Sequence, residues 1–295
     1  MHSRFSAPLL LLGAACALVP LTLAAQQGGQ PAPTPQADSI RSAARLDVDG
    51  KHGEARAIFQ KLIDGAATPE ARAAAQRRMA ISYAFEGNCA ETVRYEEMVI
   101  EYWKTREQAE PQNAFYQQGE MANEAARVCI DAGELEIAER MYRRGSELGL
   151  TEPEPKTHPK SLWAFRLAHA DARLAARRGK AADARRHVAT ARRLLDADSS
   201  MRSQQERFYP YLVGYVALYT NDLVTAESEL SKAIAMPGNT TDPFLHVLLA
   251  MTNEKLGDDT RALALYRQAF DASTGHNPPA AYSRPFARAK LAEQP

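Results

Sequence analysis

Around six turn residues of this chain, small side chains recur at the same two offsets, and that pattern restricts the fold more than any other feature. The turn residues are Gly50, Gly87, Gly133, Gly179, Asn221 and Gly257. Seven positions before them stand Ala43, Ala80, Ala126, Ala172, Gly214 and Ala250; five positions after stand Ala55, Thr92, Ala138, Ala184, Ala226 and Ala262. Nine positions after stand Phe59, Glu96, Tyr142, Val188, Leu230 and Tyr266, large and apolar in five of the six. Glycine and asparagine enter the left-handed backbone conformation at little cost, so each anchor predicts the end of a helix. The small residues then mark where two antiparallel helices approach most closely, and the large residue four positions on shares a face with the second of them. From Ser39 onward β-branched alternation is scarce and apolar residues recur at three and four, which predicts helix throughout. The expected class is all-α, an α-solenoid of about six helix–turn–helix units.

The first residues read as an address rather than as part of that fold. Met1 to Ser6 is short and polar with Arg4, Ala7 to Leu23 is almost wholly apolar, and Ala24 and Ala25 follow. This is the layout of a secretory signal peptide over residues 1–25. The apolar run is broken by Gly13 and Pro20 and falls short of the roughly twenty residues a membrane span needs. Cys16 follows Gly13-Ala14-Ala15, a departure from the lipobox pattern that makes a lipid anchor the weaker reading. Residues 26–38, QQGGQPAPTPQAD, read as a disordered linker with too little apolar surface to fold. The expectation is an exported chain, in the bacterial periplasm before a secreted or lipid-anchored location, with no stable membrane span once the signal is removed.

Charge and motifs exclude several function classes. Thirty-six basic residues balance thirty-six acidic ones, which argues against a generic nucleic-acid or membrane-surface binder. Residues 160–205 carry eleven Lys or Arg against four acidic residues, but arginine outnumbers lysine 27 to 9 throughout, so solvated helix faces explain that stretch. No HExxH, Walker loop, GxSxG or paired CxxC occurs. The histidines His52, His158, His169, His187, His246 and His276 include no pair three or four apart, so no helical metal face is expected. The reading is of a protein without enzymatic activity, cofactor or metal.

Three segments carry a resemblance to a known family: GDDTRALALYRQAF at 257–270, GELEIAERMYRRG at 133–145 and NDLVTAESELSKAI at 221–234. They are similar to tetratricopeptide repeats, and the resemblance extends over residues 39–270. The anchors lie 37, 46, 46, 42 and 36 residues apart, against about 34 in that family, so the middle units must carry longer helices or loops. The second unit departs most, with Thr92 and Glu96 at two key places. After it all, residues 271–295 form the turn His276-Asn277-Pro278-Pro279 and one more amphipathic helix, expected to cap the last repeat.

The resemblance implies more than a fold. It puts Cys89 and Cys129 at the same edge of adjacent repeats, where an exported chain could bridge them or leave two buried thiols. It also implies that the first helix of each repeat lines a concave groove. The groove positions are then Glu120, Asn123, Arg127 and Ile130 in the third repeat, and Arg166, His169, Arg173 and Ala176 in the fourth. In the fifth they are Phe208, Tyr211, Tyr215 and Leu218, with Pro210 expected to shorten or kink the helix. Asn123, Arg127, Arg166, Arg173, Tyr211 and Tyr215 are the candidate binding residues. Arginine grips carboxylates bidentately and tyrosine offers rigid apolar area with a polar tip. They suit a peptide or protein partner with an acidic group or free C-terminus, although the clamp lysine of some family members is absent. The alternatives are an assembly factor of the cell envelope acting by self-association or through its convex face, and an enzyme with an unrecognised site.

Overall fold

A computed structural model describes residues 35–293. The expected signal at 1–25 and Cys16 lie outside them. Every regular element among the described residues is helical. Helices pair in chain order as α1 (Pro35–Val48) with α2 (His52–Asp64), α3 (Pro69–Ala84) with α4 (Cys89–Lys104), and α5 (Pro111–Ala132) with α6 (Leu135–Leu150). The next pair is α7 (Lys160–Arg177) with α8 (Ala181–Ala197), followed by the short α9 (Ser199–Gln205) and a single turn of tighter helix at Glu206–Phe208. Two more pairs are α10 (Tyr209–Tyr219) with α11 (Leu223–Ala235), and α12 (Pro243–Leu256) with α13 (Asp259–Ala272); α14 (Pro278–Ala292) ends the chain. None of these helices is long and apolar enough to cross a membrane.

Each pair turns at one of the six anchors. Gly50, Gly87, Gly133, Gly179 and Gly257 have φ between 65° and 89°, and Asn221 has φ of 63°. The residue after an anchor often caps the second helix: the side chains of Asn88, Asp222 and Asp258 accept from the backbone N–H groups of Glu91, Thr225 and Arg261. The small residues flanking the anchors are buried without exception. Gly214 shows what they do, since a methyl group there would stand 2.6 Å from Leu230 Cγ, the large residue of the same pair. Thr92 fits among these small residues because its hydroxyl donates to the carbonyl of Ala80, its counterpart across the pair, at 3.3 Å. The disulfide between Cys89 and Cys129 ties the start of α4 to the end of α5.

Two boundaries differ from expectation. The first helix begins at Pro35, inside the segment 26–38 read as linker. Proline is tolerated in the first turn of a helix, and Asp38 near the positive helix start pairs with Arg41 one turn on. Of the two effects expected of Pro210, the structure has the shortening and not the kink: Pro210 stands in the first turn of the short α10.

The last helix does more than cap. Helix α14 packs on α12 and α13, and also on α3 and α5. Arg284 donates to the carbonyls of Val48, at the end of α1, and Phe270, while Arg288 also reaches Val48. In front of α14, His276 Nε2 donates to Asp47 Oδ2 at 2.8 Å. Asp47 is buried, and its other oxygen accepts from Ser82 Oγ at 2.8 Å and His52 Nδ1 at 3.0 Å. Arg78 adds a bond to the His276 carbonyl at 3.1 Å. The C-terminal segment thus joins the last helical pair to the first two.

Candidate binding site

Helix α5 presents Glu120, Asn123, Arg127 and Asp131 at spacings of three and four, which places them along one face. Helix α7 presents Arg166, His169 and Arg173 in the same way. These two faces meet Tyr142 of α6, Phe208 and Tyr211 beside and on α10, and Asp242 and Phe244 at the start of α12 around one cavity of about 400 Å³. Pro278 and Pro279 form part of its wall. A second cavity, of about 450 Å³, lies among Arg77, Tyr102, Trp103 and Glu124, and His276, Asn277 and Pro278 line it too. The turn before α14 therefore stands between the two cavities.

Five of the six candidate residues, Asn123, Arg127, Arg166, Arg173 and Tyr211, come together on the first cavity. They differ in how free they are. Arg166 pairs with Glu120 and donates to Tyr116 Oη at 3.4 Å. Arg173 is buried; its terminal nitrogens donate to Tyr142 Oη and, at 2.9 Å, to Tyr211 Oη, while its Nε has no partner. Arg127 is exposed to the cavity and makes no hydrogen bond or ion pair among the described residues.

Tyr215 does not belong with them. It is fully buried, with its ring 5.6 Å from the Arg173 guanidinium and its hydroxyl accepting from Arg177 at 3.4 Å. The tyrosine ladder expected on the groove is in this part core, because Tyr215 is wedged between Tyr211 and Tyr219 and packs with Leu230 and Leu248.

The cavity also contains groups outside the six. Asp131, half-buried one turn beyond Arg127, is pushed up to about 7 by removal from water, against the pull of Arg173, Arg177 and Arg127. Burial likewise raises Asp242, which caps α12 through Phe244 N at 2.9 Å. Burial, reinforced by Arg173 and Arg127, holds His169 well below the ordinary histidine value, while the Phe208 backbone works the other way. His169 Nε2 has no partner. His169 was among the groove positions expected in the fourth unit, and a spacing of four from Arg127 would have pointed to Asp131. Nothing local could have pointed to Pro278 and Pro279, which arrive from the other end of the chain.

No group of three or more His, Cys, Asp or Glu is placed to hold a metal ion among the described residues. Compared with known protein families and with curated proteins, the chain matches no family model and no curated sequence.

Proposed function

We propose that this protein is an exported scaffold of the tetratricopeptide-repeat type that binds a peptide or protein partner along the first helices of its units. The observation behind this reading is the convergence of Asn123, Arg127, Arg166, Arg173 and Tyr211 on one cavity. Arg127 and Arg173, which have no carboxylate partner, and a tyrosine edge suit an acidic side chain or a chain end. The six left-handed turns and the buried small residues around them support the repeat reading. The export reading is supported by residues 1–25.

The test is affinity capture from a cell-envelope extract with the wild-type chain and with Arg127→Glu, retained proteins being identified by mass spectrometry. Arg127 is the suitable position because it is exposed and has no bond to lose, so the variant keeps its helical circular dichroism. A partner held by the wild type and lost from Arg127→Glu places recognition at the cavity. Equal retention by both overturns that placement and favours an outer face.

A further inference from the structure

The same cavity carries an inference about small molecules, which goes beyond the partner-binding reading while sharing its location. We infer that the cavity is a binding site for a small organic acid bearing a hydrogen-bond donor next to its carboxylate, the chemistry of α-hydroxy and α-amino acids. Three observations assign the two ends of such a ligand.

The first is a pair of unused donors. Arg127 projects into the cavity with its whole guanidinium unbonded. Arg173 is 5% exposed, and its Nε–H has no acceptor although its other nitrogens are held by Tyr142 and Tyr211. The buried Arg173 guanidinium is hydrogen-bonded only to neutral phenols, Asp131 acts on it without pairing directly, and a carboxylate bridging Arg173 and Arg127 supplies the direct ion pair.

The second is an unused acceptor one helical turn away. His169 is 9% exposed and its Nε2 is without a partner. Burial and the adjacent arginines favour the neutral ring, whose Nδ1–H tautomer leaves a bare lone pair on the unbonded Nε2. A lone pair in that place requires an O–H or N–H from the ligand. Asp131, with no hydrogen bond of its own, offers a second acceptor on the facing helix.

The third is size and closure. About 400 Å³ is within the range of small-molecule sites, and Pro278 and Pro279 form part of its wall. Phe165, Phe208 and Phe244 supply apolar walls for the carbon body. With Arg166 already neutralised by Glu120, Arg127 and Arg173 remain without a carboxylate partner for the ligand carboxylate to meet.

The experiment is isothermal titration calorimetry of the full chain with L-lactate, L-malate, L-serine and L-glutamate. Matched acids without the donor are propionate, succinate and glutarate, and a tripeptide is added with a free and with an amidated C-terminus. The expected result is saturable one-to-one binding of at least one donor-bearing acid, weakened at least tenfold for its donor-less analogue. Arg127→Gln should weaken it at least tenfold, and His169→Phe should remove the preference for the donor. Absence of binding by all the free acids, or equal binding with and without the donor, overturns the inference. Binding of the free-ended tripeptide alone overturns the small-molecule site but leaves the partner-binding reading standing. Binding of the free acids together with an Arg127-independent captured partner overturns only the partner's placement at the cavity.

Discussion

His276 Nε2 lies 2.8 Å from Asp47 Oδ2, a hydrogen bond between residues 229 apart in the chain. It closes the helical array on itself. The His276 ring also packs against Phe59 and Phe85, at 5.5 and 5.7 Å between centroids, so the turn that divides the two cavities is held by the first two helical pairs. Asp47 is fully committed, because all three of its side-chain partners, Ser82, His52 and His276, address a carboxylate with no access to water.

Replacing His276 by alanine therefore removes one charged hydrogen bond from a buried carboxylate. The expected loss is about 1.5–3 kcal/mol, read by urea denaturation, together with faster proteolysis within residues 274–279. An unchanged midpoint and unchanged cleavage would show that the packing of α14 alone holds the segment.

The same cluster contributes to the loss of stability in acid. Burial depresses the folded-state value of His276, and Asp47 is also below its usual value although burial opposes its histidine and serine bonds. Both shifts favour the less protonated form in the folded chain. Their contributions are thus present above the unfolded values and are lost as pH falls through the folded ones, first for His276 and His169 below about 6.5 and then for Asp47 below about 3.9. Thermal midpoints measured from pH 7 down to pH 3 should fall in these two stages, and His276→Asn should flatten the first.

Glu96 occupies the place where the other pairs have Phe59, Tyr142, Val188, Leu230 and Tyr266. It is fully buried and neither carboxylate oxygen has a partner. Burial and the neighbouring Glu124 push it well above the usual carboxylate range, against the pull of Arg77. A raised acid loses folded-state stability as pH rises from the unfolded value through the folded one. Glu96→Met should raise stability at pH 7 by about 1–3 kcal/mol, with a smaller gain at pH 4. Loss of stability at pH 7 would mean that the carboxyl has a structural role that its surroundings do not reveal.

Gly119, Gly145 and Gly149 let α5, α6 and Trp163 share one crowded volume. A methyl group at Gly119 would meet the Trp163 ring and stand 2.8 Å from the Gly145 carbonyl oxygen, which is backbone and cannot turn aside. Gly119→Ala gains about 1 kcal/mol of helix propensity and should lose more than that to overpacking, about 1–3 kcal/mol. Chemical denaturation should show net destabilisation; net stabilisation would mean that the two helices separate freely.

Cys89 and Cys129 close a loop with a sequence separation of 40. By the chain-entropy account, removing such a link costs about 4 kcal/mol. A Cys89→Ser, Cys129→Ser chain should unfold at correspondingly lower denaturant, and the wild type should match it after reduction. Coincident curves for oxidised and reduced wild type would contradict the account.

Much of this architecture is readable from the sequence because its causes are local. A glycine or asparagine that ends one helix, a cap that starts the next, and two small residues where the helices cross all lie within one short window. The resemblance to the repeat family likewise placed Asn123, Arg127, Arg166 and Arg173 on helix faces that do meet. Periodicity did not tell how deep each would lie. Tyr211 and Tyr215 are one turn apart on α10, yet one edges the cavity and the other is core, because the depth of a helix face depends on what packs over it.

By itself, then, the sequence determined the all-helical class and the six turns, since these follow from spacing along the chain. The tertiary structure alone decided that α14 crosses to α3 and α5, that Pro278 parts two cavities, and that Arg173 is held by tyrosines instead of standing free. Contacts between residues more than two hundred positions apart leave no periodic trace. They depend on how the successive helix-pair angles add up, which no local window records.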